Sequence, residues 1–269
     1  MNSRFAPVLL TSLALLTTAA GARAQHTEGD LAKATQNPVA DLTTVPFQFN
    51  WLSGGDLDDR TLSILNVQPV LPLPINERWN VIARTIVPML NVPLAGDERA
   101  TGIGDIQGQF YFTPANPGGL IWGVGPVVSL PTATNEAVNT GQFAAGPGVV
   151  LVKMTGPWVL GAVGNNIWRV GGSEDTPEIN AFTLQPFINL NFTRGWSLAF
   201  SPVITANWSA PSGEEWTVPL GLGLSKVTAV GKLPTNVGLQ YYNNVERPTG
   251  TGEHQVRLTF ALLFPKVAG

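Results

Sequence analysis

Histidine and cysteine carry much of the acid–base and nucleophilic chemistry of proteins, and both are scarce in this 269-residue chain. It has no cysteine and two histidines, His26 near the amino terminus and His254. A serine hydrolase needs a nucleophile beside its histidine and a third group that orients the ring, but Gln-Val-Arg follows His254, with no serine nearby on the same face. A hydrogen bond at a strand end is the expected role of His254, and the chain is predicted not to be an enzyme.

Patterns for metals, cofactors and nucleic acids are also sparse. The segment 54–59 (GGDLDD) clusters oxygens as calcium loops do, but it lacks the remaining ligands, so an ordinary acidic loop is the simpler interpretation. No phosphate-binding loop exists, and Gly102, Gly104 and Gly108 lack the dinucleotide spacing. A net charge of −3 without a basic cluster argues against nucleic-acid binding. The sequence predicts no metal and no cofactor.

Polar side chains two residues apart are the better candidates for a functional site. Such residues share one face of a strand, because successive side chains point to opposite sides. In the predicted strand that contains Gln240, the opposite face carries Tyr241 and Asn243 and is nearly as polar, so alternation alone does not decide which face points inward. The candidate lining, rich in amides and hydroxyls and suited to uncharged or mildly polar solutes, is Arg84, Asp105, Gln107, Gln109, Tyr111, Gln185, Asn189, Gln240, Tyr242, Glu246 and Arg257.

The four charged members of this set suggest an ion-pair cluster. Arg84 and Arg257 are expected to pair with Asp105 and Glu246, since unpaired charges inside a protein are costly. A static bridge is the simpler interpretation, and a constriction lined by these residues is the alternative.

The elements that must position these side chains are long predicted β-strands in which apolar and polar residues alternate. From Trp196 to Trp208 apolar residues alternate with mostly polar ones, and similar ribbons recur along the chain. A ribbon with one apolar face suits a closed antiparallel transmembrane β-barrel, with lipid outside and water inside. Twelve strands are predicted at 45–53, 61–73, 79–92, 104–113, 120–130, 142–153, 157–170, 179–192, 195–208, 215–225, 235–247 and 254–264.

Connections and tryptophans give the barrel an expected orientation. Mostly short turns alternate with longer acidic loops, and an even number of strands puts both termini at the short-turn side, which faces the periplasm in such barrels. The acidic loops could share divalent cations with lipopolysaccharide phosphates, or simply be solvated. All tryptophans fall at predicted strand ends, as expected of two interfacial girdles: Trp51, Trp79, Trp122, Trp158, Trp168, Trp196, Trp208 and Trp216.

Prolines oppose this assignment. Pro69, Pro88, Pro126, Pro147, Pro186, Pro202 and Pro219 all fall inside predicted strands, where each removes a hydrogen-bond donor. Either several of them lie at bulges or near the membrane interfaces, or some of the predicted strands are wrongly drawn.

Three segments organise the chain. Residues 1–24 have a basic start, an apolar run and an Ala-Arg-Ala end, which predicts a signal peptide cleaved before Gln25. Residues 25–44 could be a periplasmic tail with a short helix near Asp30–Thr35, the simpler option, or a plug that folds inward. Residues 45–269 form the predicted barrel. Its interior could be an open path or a polar core filled by side chains, as in small barrels.

Several motifs resemble a known family. They are Leu31–Leu42 (LAKATQNPVADL), Val45–Trp51 (VPFQFNW), Gly118–Pro126 (GGLIWGVGP), Leu130–Thr134 (LPTAT), Leu184–Phe187 (LQPF) and Ala261–Lys266 (ALLFPK). Together they resemble the bacterial outer-membrane proteins called phenol-degradation meta-pathway proteins, often labelled transporters. The resemblance implies an outer-membrane barrel for passage of small organic, including aromatic, solutes. The resemblance supplies no catalytic residues. The expected partners of the predicted barrel are outer-membrane lipids, lipopolysaccharide and the barrel-assembly machinery.

Overall fold

The computed structural model describes residues 27–57, 60–94 and 96–265. These residues fold into one short α-helix, three single-turn 3-10 helices and one antiparallel sheet. The elements are α1 (Glu28–Thr35), β1 (Leu42–Ser53), β2 (Leu62–Val67), β3 (Val70–Pro74), β4 (Trp79–Pro93), β5 (Arg99–Ile103), β6 (Ile106–Pro114), β7 (Ile121–Leu130), β8 (Gln142–Thr155), β9 (Trp158–Gly172), β10 (Asn180–Asn191), β11 (Trp196–Phe200), β12 (Ile204–Asn207), β13 (Trp216–Val230), β14 (Leu233–Glu246) and β15 (His254–Pro265). None of the described helices is long and apolar enough to cross a membrane.

The sheet closes on itself. β1 pairs with β15 along its whole length, and the remaining strands pair with their neighbours in chain order. Three strands of the barrel are each interrupted, as β2–β3, β5–β6 and β11–β12, so that twelve strands complete the wall. The predicted closed, antiparallel, twelve-stranded β-barrel is confirmed.

One predicted connection is shorter than expected. β13 extends to Val230 and β14 begins at Leu233. A two-residue turn therefore replaces the predicted connection over 226–234. Gly231 has a φ of 62°, which a tight hairpin of this length requires at its first turn residue. The acidic and Gly-rich loops lie at the other end of the barrel, called here the long-loop end; the end with the tight turns is the short-turn end.

The outer face of the wall is apolar. In β13 the alternate side chains Leu220, Leu222 and Leu224 are between 51% and 58% exposed. Seven of the eight tryptophans are exposed, and Trp122 is half-buried. Some of them contact each other, as Trp208 and Trp216 do with ring centroids 5.2 Å apart. A water-soluble domain would bury such residues, whereas a continuous apolar exterior is what a lipid-facing barrel presents.

The strand prolines coincide with breaks in the hydrogen-bond ladder. Pro69 lies between β2 and β3, Pro202 lies between β11 and β12, and Pro219 lies at a shift of register in β13. Pro126 and Pro147 face each other across β7 and β8, and each lies beside an unpaired stretch toward the next strand. The ribbon predicted over 195–208 is therefore two short strands, because Pro202 cannot donate to the ladder.

Candidate binding site in the barrel lumen

The described residues that precede β1 enter the short-turn end of the barrel. In α1, Leu31 and Ala32 are buried against Val227, Ala261 and Leu263, whose side chains point inward from β13 and β15. Thr27 caps the helix by accepting a hydrogen bond from the Asp30 amide. The sequence favoured a periplasmic tail here, but residues 27–41, named here the inner segment, pack against the inner wall. The sequence could not show this, because a small apolar patch suits either placement.

The inner segment is also bound by specific polar contacts. The Gln36 Nε2 donates to Asn191 Oδ1 and to Ser197 Oγ, both at 3.0 Å, while Asn191 Nδ2 donates back to Gln36 Oε1 at 3.0 Å. Further along, Val39 is buried in an apolar cluster that includes Ile82. The short-turn end of the lumen is thereby occupied by the protein's own chain.

A cavity of about 200 Å³ lies above the inner segment. Gln36, Asn37 and Ala40 form part of its floor. The walls come from several strands, and most of the lining residues are polar, with Gln48, Gln68, Arg84, Gln185, Asn189 and Gln240 among them. Four of these six belong to the predicted lining: Arg84, Gln185, Asn189 and Gln240.

Gln48 and Gln68 were missed by the sequence reasoning, although Gln48 could have been found. It lies two residues before Asn50 on the inward face of β1, the same alternation that identified the other residues. Gln68, in contrast, lies in the break between β2 and β3, where strand periodicity carries no information.

Amide chains organise one wall of the lumen. An Arg84 Nη2 donates to Gln68 Oε1, and Gln68 Nε2 donates to Gln48 Oε1 at 3.0 Å. On β6, Tyr111 Oη donates to Gln109 Oε1 at 3.1 Å, and Gln109 Nε2 donates to Gln107 Oε1 at 2.7 Å. Tyr111 and Gln109 are buried, as expected of side chains that point into the barrel.

A second group of inward side chains lies nearer the long-loop end. Arg257 is buried; its Nε donates to Asn50 Oδ1 and its Nη1 to the Ser201 carbonyl, both at 3.0 Å, while its guanidinium lies 5.1 Å from the Tyr242 ring centre. Gln240 Nε2 donates to Ser201 Oγ at 3.0 Å. These contacts hold the interrupted stretch 201–203 against inward-pointing side chains.

The predicted ion-pair cluster is wrong. Asp105 accepts hydrogen bonds from the Ala133 amide at 3.1 Å and from Thr140 Oγ1 at 2.5 Å, and so fixes a long loop. Glu246 ends β14 and is exposed. Across the described residues, the ion pairs are those of Arg169 with Glu174 and Glu178, and of Arg247 with Glu253. Amide and carbonyl oxygens, not carboxylates, meet the two inner arginines.

Comparison with known proteins supports the fold of the chain. No family model and no curated protein matches the chain. The COG4313 outer membrane channel from Pseudomonas putida F1 superposes with a TM-score of 0.62 at 15% identity, covering 83% of this chain and 94% of that one. The two chains share a fold. Outer membrane phospholipase A from Escherichia coli matches with a TM-score of 0.42 at 10% identity, covering 84% of this chain and 97% of that one, which is too distant to bear on function.

His254 lies at the long-loop end, away from the cavity. Its Nδ1 is 2.8 Å from Tyr241 Oη and 3.4 Å from Asn243 Nδ2, and its ring stacks on that of Tyr241. The described residues include no group of three or more acidic or histidine side chains that could hold a metal. Asp58 and Asp59 of the considered calcium loop lie outside the described residues.

A carboxylate links two of the long loops. The Thr249 amide donates to Glu214 Oε2 at 2.5 Å and the Thr249 hydroxyl donates to Glu214 Oε1 at 2.8 Å. Both hydrogen bonds lower the pKa of Glu214 below its ordinary value, and the bond from the Thr249 amide contributes more than the bond from its hydroxyl. The link is therefore complete at neutral pH and is lost as the pH falls through this lowered pKa.

We expect Thr249→Val to raise the pKa of Glu214 partway toward the ordinary glutamate value. The variant removes the hydroxyl donor but keeps the larger contribution from the amide. The carboxyl carbon shift of Glu214, followed by NMR as the pH is lowered, measures this directly. Thr251→Val, in the same loop, serves as the control. An unchanged Glu214 titration in Thr249→Val would contradict the role of the hydroxyl.

Proposed function

We propose that this protein is an outer-membrane channel that passes small organic solutes through its lumen, with the inner segment limiting access from one end. The observation that carries the proposal is a cavity lined mostly by polar residues, inside a barrel whose exterior is apolar. A polar lining suits solutes that keep hydrogen-bonding partners during passage. The shared fold with an outer-membrane channel and the resemblance of the motifs support the same assignment.

The membrane setting follows from the same features. In the proposed arrangement the signal peptide directs export, the assembly machinery inserts the barrel, and the short-turn end faces the periplasm. The exposed tryptophans then lie at the two lipid interfaces, and the acidic long loops face lipopolysaccharide. Aromatic compounds are among the proposed solutes, on the basis of the family resemblance.

A non-conducting structural barrel is the second candidate. The observation in its favour is the burial of large side chains such as Arg257, Tyr242 and Tyr111, since the interior of small barrels is filled by side chains.

Solute flux distinguishes the two candidates. The mature chain is refolded into liposomes and into planar bilayers, and swelling is measured with a sugar, an aromatic acid and an aromatic alcohol. A channel gives discrete conductance steps and swelling with at least one organic solute, above liposomes that contain heat-denatured protein. Absence of both signals from a barrel that migrates as folded would remove the channel proposal and favour the structural one.

A further inference from the structure

Arg84 is a charged side chain inside the barrel whose charge no described carboxylate balances. Its one side-chain hydrogen bond is to the neutral amide oxygen of Gln68. A guanidinium has five N–H donors, so most of them remain for other acceptors. A cation away from bulk water is costly unless it is paired and hydrogen-bonded. The surroundings of Arg84 therefore leave room for an anion.

The cavity strengthens this argument. Arg84 is the charged residue among the side chains that line it, and these include neither aspartate nor glutamate. The remaining polar groups are neutral amides and hydroxyls, such as those of Gln185, Asn189 and Ser225. A lining with a single positive charge selects against cations and for anions.

Arg257 offers an instructive contrast. It too lacks a carboxylate partner among the described residues, but Asn50 Oδ1 and the Ser201 carbonyl accept from it and the Tyr242 ring covers its face. It does not line the cavity. Arg257 therefore has a structural role that its own neighbours satisfy, whereas Arg84 faces an accessible space.

We propose that Arg84 binds the carboxylate of a small organic acid in this cavity. The proposal rests on the channel function and specifies its substrate class. A guanidinium fits a carboxylate with two parallel hydrogen bonds, and Gln185 or Asn189 can donate to the same group. The ring of Phe187 also lines the cavity and supplies an apolar surface for the body of the acid. A volume of about 200 Å³ restricts the ligand to molecules smaller than typical drugs.

Binding of matched probes tests the proposal in the refolded mature chain. Benzoate and benzamide have nearly the same shape and differ in charge, so isothermal titration with each isolates the carboxylate. We expect benzoate to bind at least about tenfold more tightly than benzamide, in line with a charge-assisted contact. Arg84→Gln should abolish this preference. Arg84→Lys should retain part of this preference, because lysine keeps the positive charge but lacks the planar guanidinium that forms two parallel hydrogen bonds.

The controls address folding and the source of the anion. Arg78→Gln changes an exposed arginine in a short turn and should leave the benzoate preference intact. Heat-modifiable migration in gels shows whether each variant forms the barrel. If Arg84→Gln does not fold, the test compares the preference for benzoate over benzamide between Arg84→Lys and the wild type. Inorganic phosphate is titrated as a third probe.

Three results would overturn the proposal: equal affinity for benzoate and benzamide, an unchanged preference in folded Arg84→Gln, or phosphate binding as tight as benzoate. These outcomes are separate from the flux test of the channel. Swelling without a carboxylate preference would preserve the channel and reject this site. A preference for benzoate without any flux would reject the channel and preserve the site.

Discussion

Deletion of residues 27–41 is expected to raise the single-channel conductance severalfold. The inner segment occupies the short-turn end of the lumen through the burial of Leu31 and Ala32 and through the hydrogen bonds of Gln36. The wall does not depend on it, because β1 begins at Leu42 and pairs with β15 from that residue onward. Removing the segment therefore widens the path without removing a strand. Recordings of the deletion variant and the full mature chain in planar bilayers measure the effect.

A reversible control separates occlusion from damage to the barrel. The chain has no cysteine, so Gln36→Cys with Ser197→Cys introduces one reactive pair between the inner segment and the wall. A short cleavable dithiol-reactive linker, which prevents the inner segment from leaving, should hold the conductance below that of the unlinked double variant, and cleavage should restore the unlinked level. Equal conductance of the deletion variant and the full chain would show that the narrow point lies elsewhere, with the layer around Arg257 as the next candidate.

The inner segment and the stretch 201–203 are built differently, and this bears on the proposed passage of solutes. The inner segment is joined to the wall by side-chain contacts, namely the hydrogen bonds of Gln36 and the burial of Leu31, Ala32 and Val39, so it can leave without opening the sheet. The stretch 201–203 belongs to the wall itself and is held by Arg257 and Gln240. Movement of the first is therefore less costly than movement of the second, and the inner segment is the better candidate for the element that controls passage.

The wall of the barrel could be predicted from the sequence because its physics is local. Alternation places Leu220, Leu222 and Leu224 on one face whatever the remaining chain does, and lipid requires that face to be apolar. Strand number followed from the same signal. The interruptions of the strands could not be predicted from alternation. A proline such as Pro202 shows that a hydrogen-bond donor is lost, but it does not show how the chain continues after it.

The contents of the lumen were harder to predict, because they depend on contacts between residues far apart in the sequence. Periodicity placed Arg84 and Arg257 among the inward candidates, but their partners were assigned by charge. In the structure the amide of Asn50 reaches Arg257 across 207 positions, and Asp105 is used by a loop. A one-dimensional pattern shows which side a residue faces and not which of many inward groups it meets.

Gly125→Ala is expected to destabilise the barrel by about 3 kcal/mol, at the upper end of the cost of overpacking. A Cβ on Gly125 would lie 1.8 Å from the carbonyl oxygen of Phe110, which belongs to the neighbouring strand and cannot rotate away. The substitution must push β6 and β7 apart where their ladder is already interrupted. Urea unfolding in lipid vesicles, followed by tryptophan fluorescence and by heat-modifiable migration, measures the loss.

Two further glycines make this prediction specific. Gly119→Ala is the matched control, because a Cβ there meets no atom within 4 Å, and it should unfold like the wild type. Gly146→Ala should behave like Gly125→Ala, since its Cβ would lie 1.8 Å from the Asn166 carbonyl oxygen. The three variants therefore test whether close strand contact, and not glycine content as such, limits stability. If Gly125→Ala and Gly119→Ala unfold at the same urea concentration, β6 and β7 do not approach each other as closely as described.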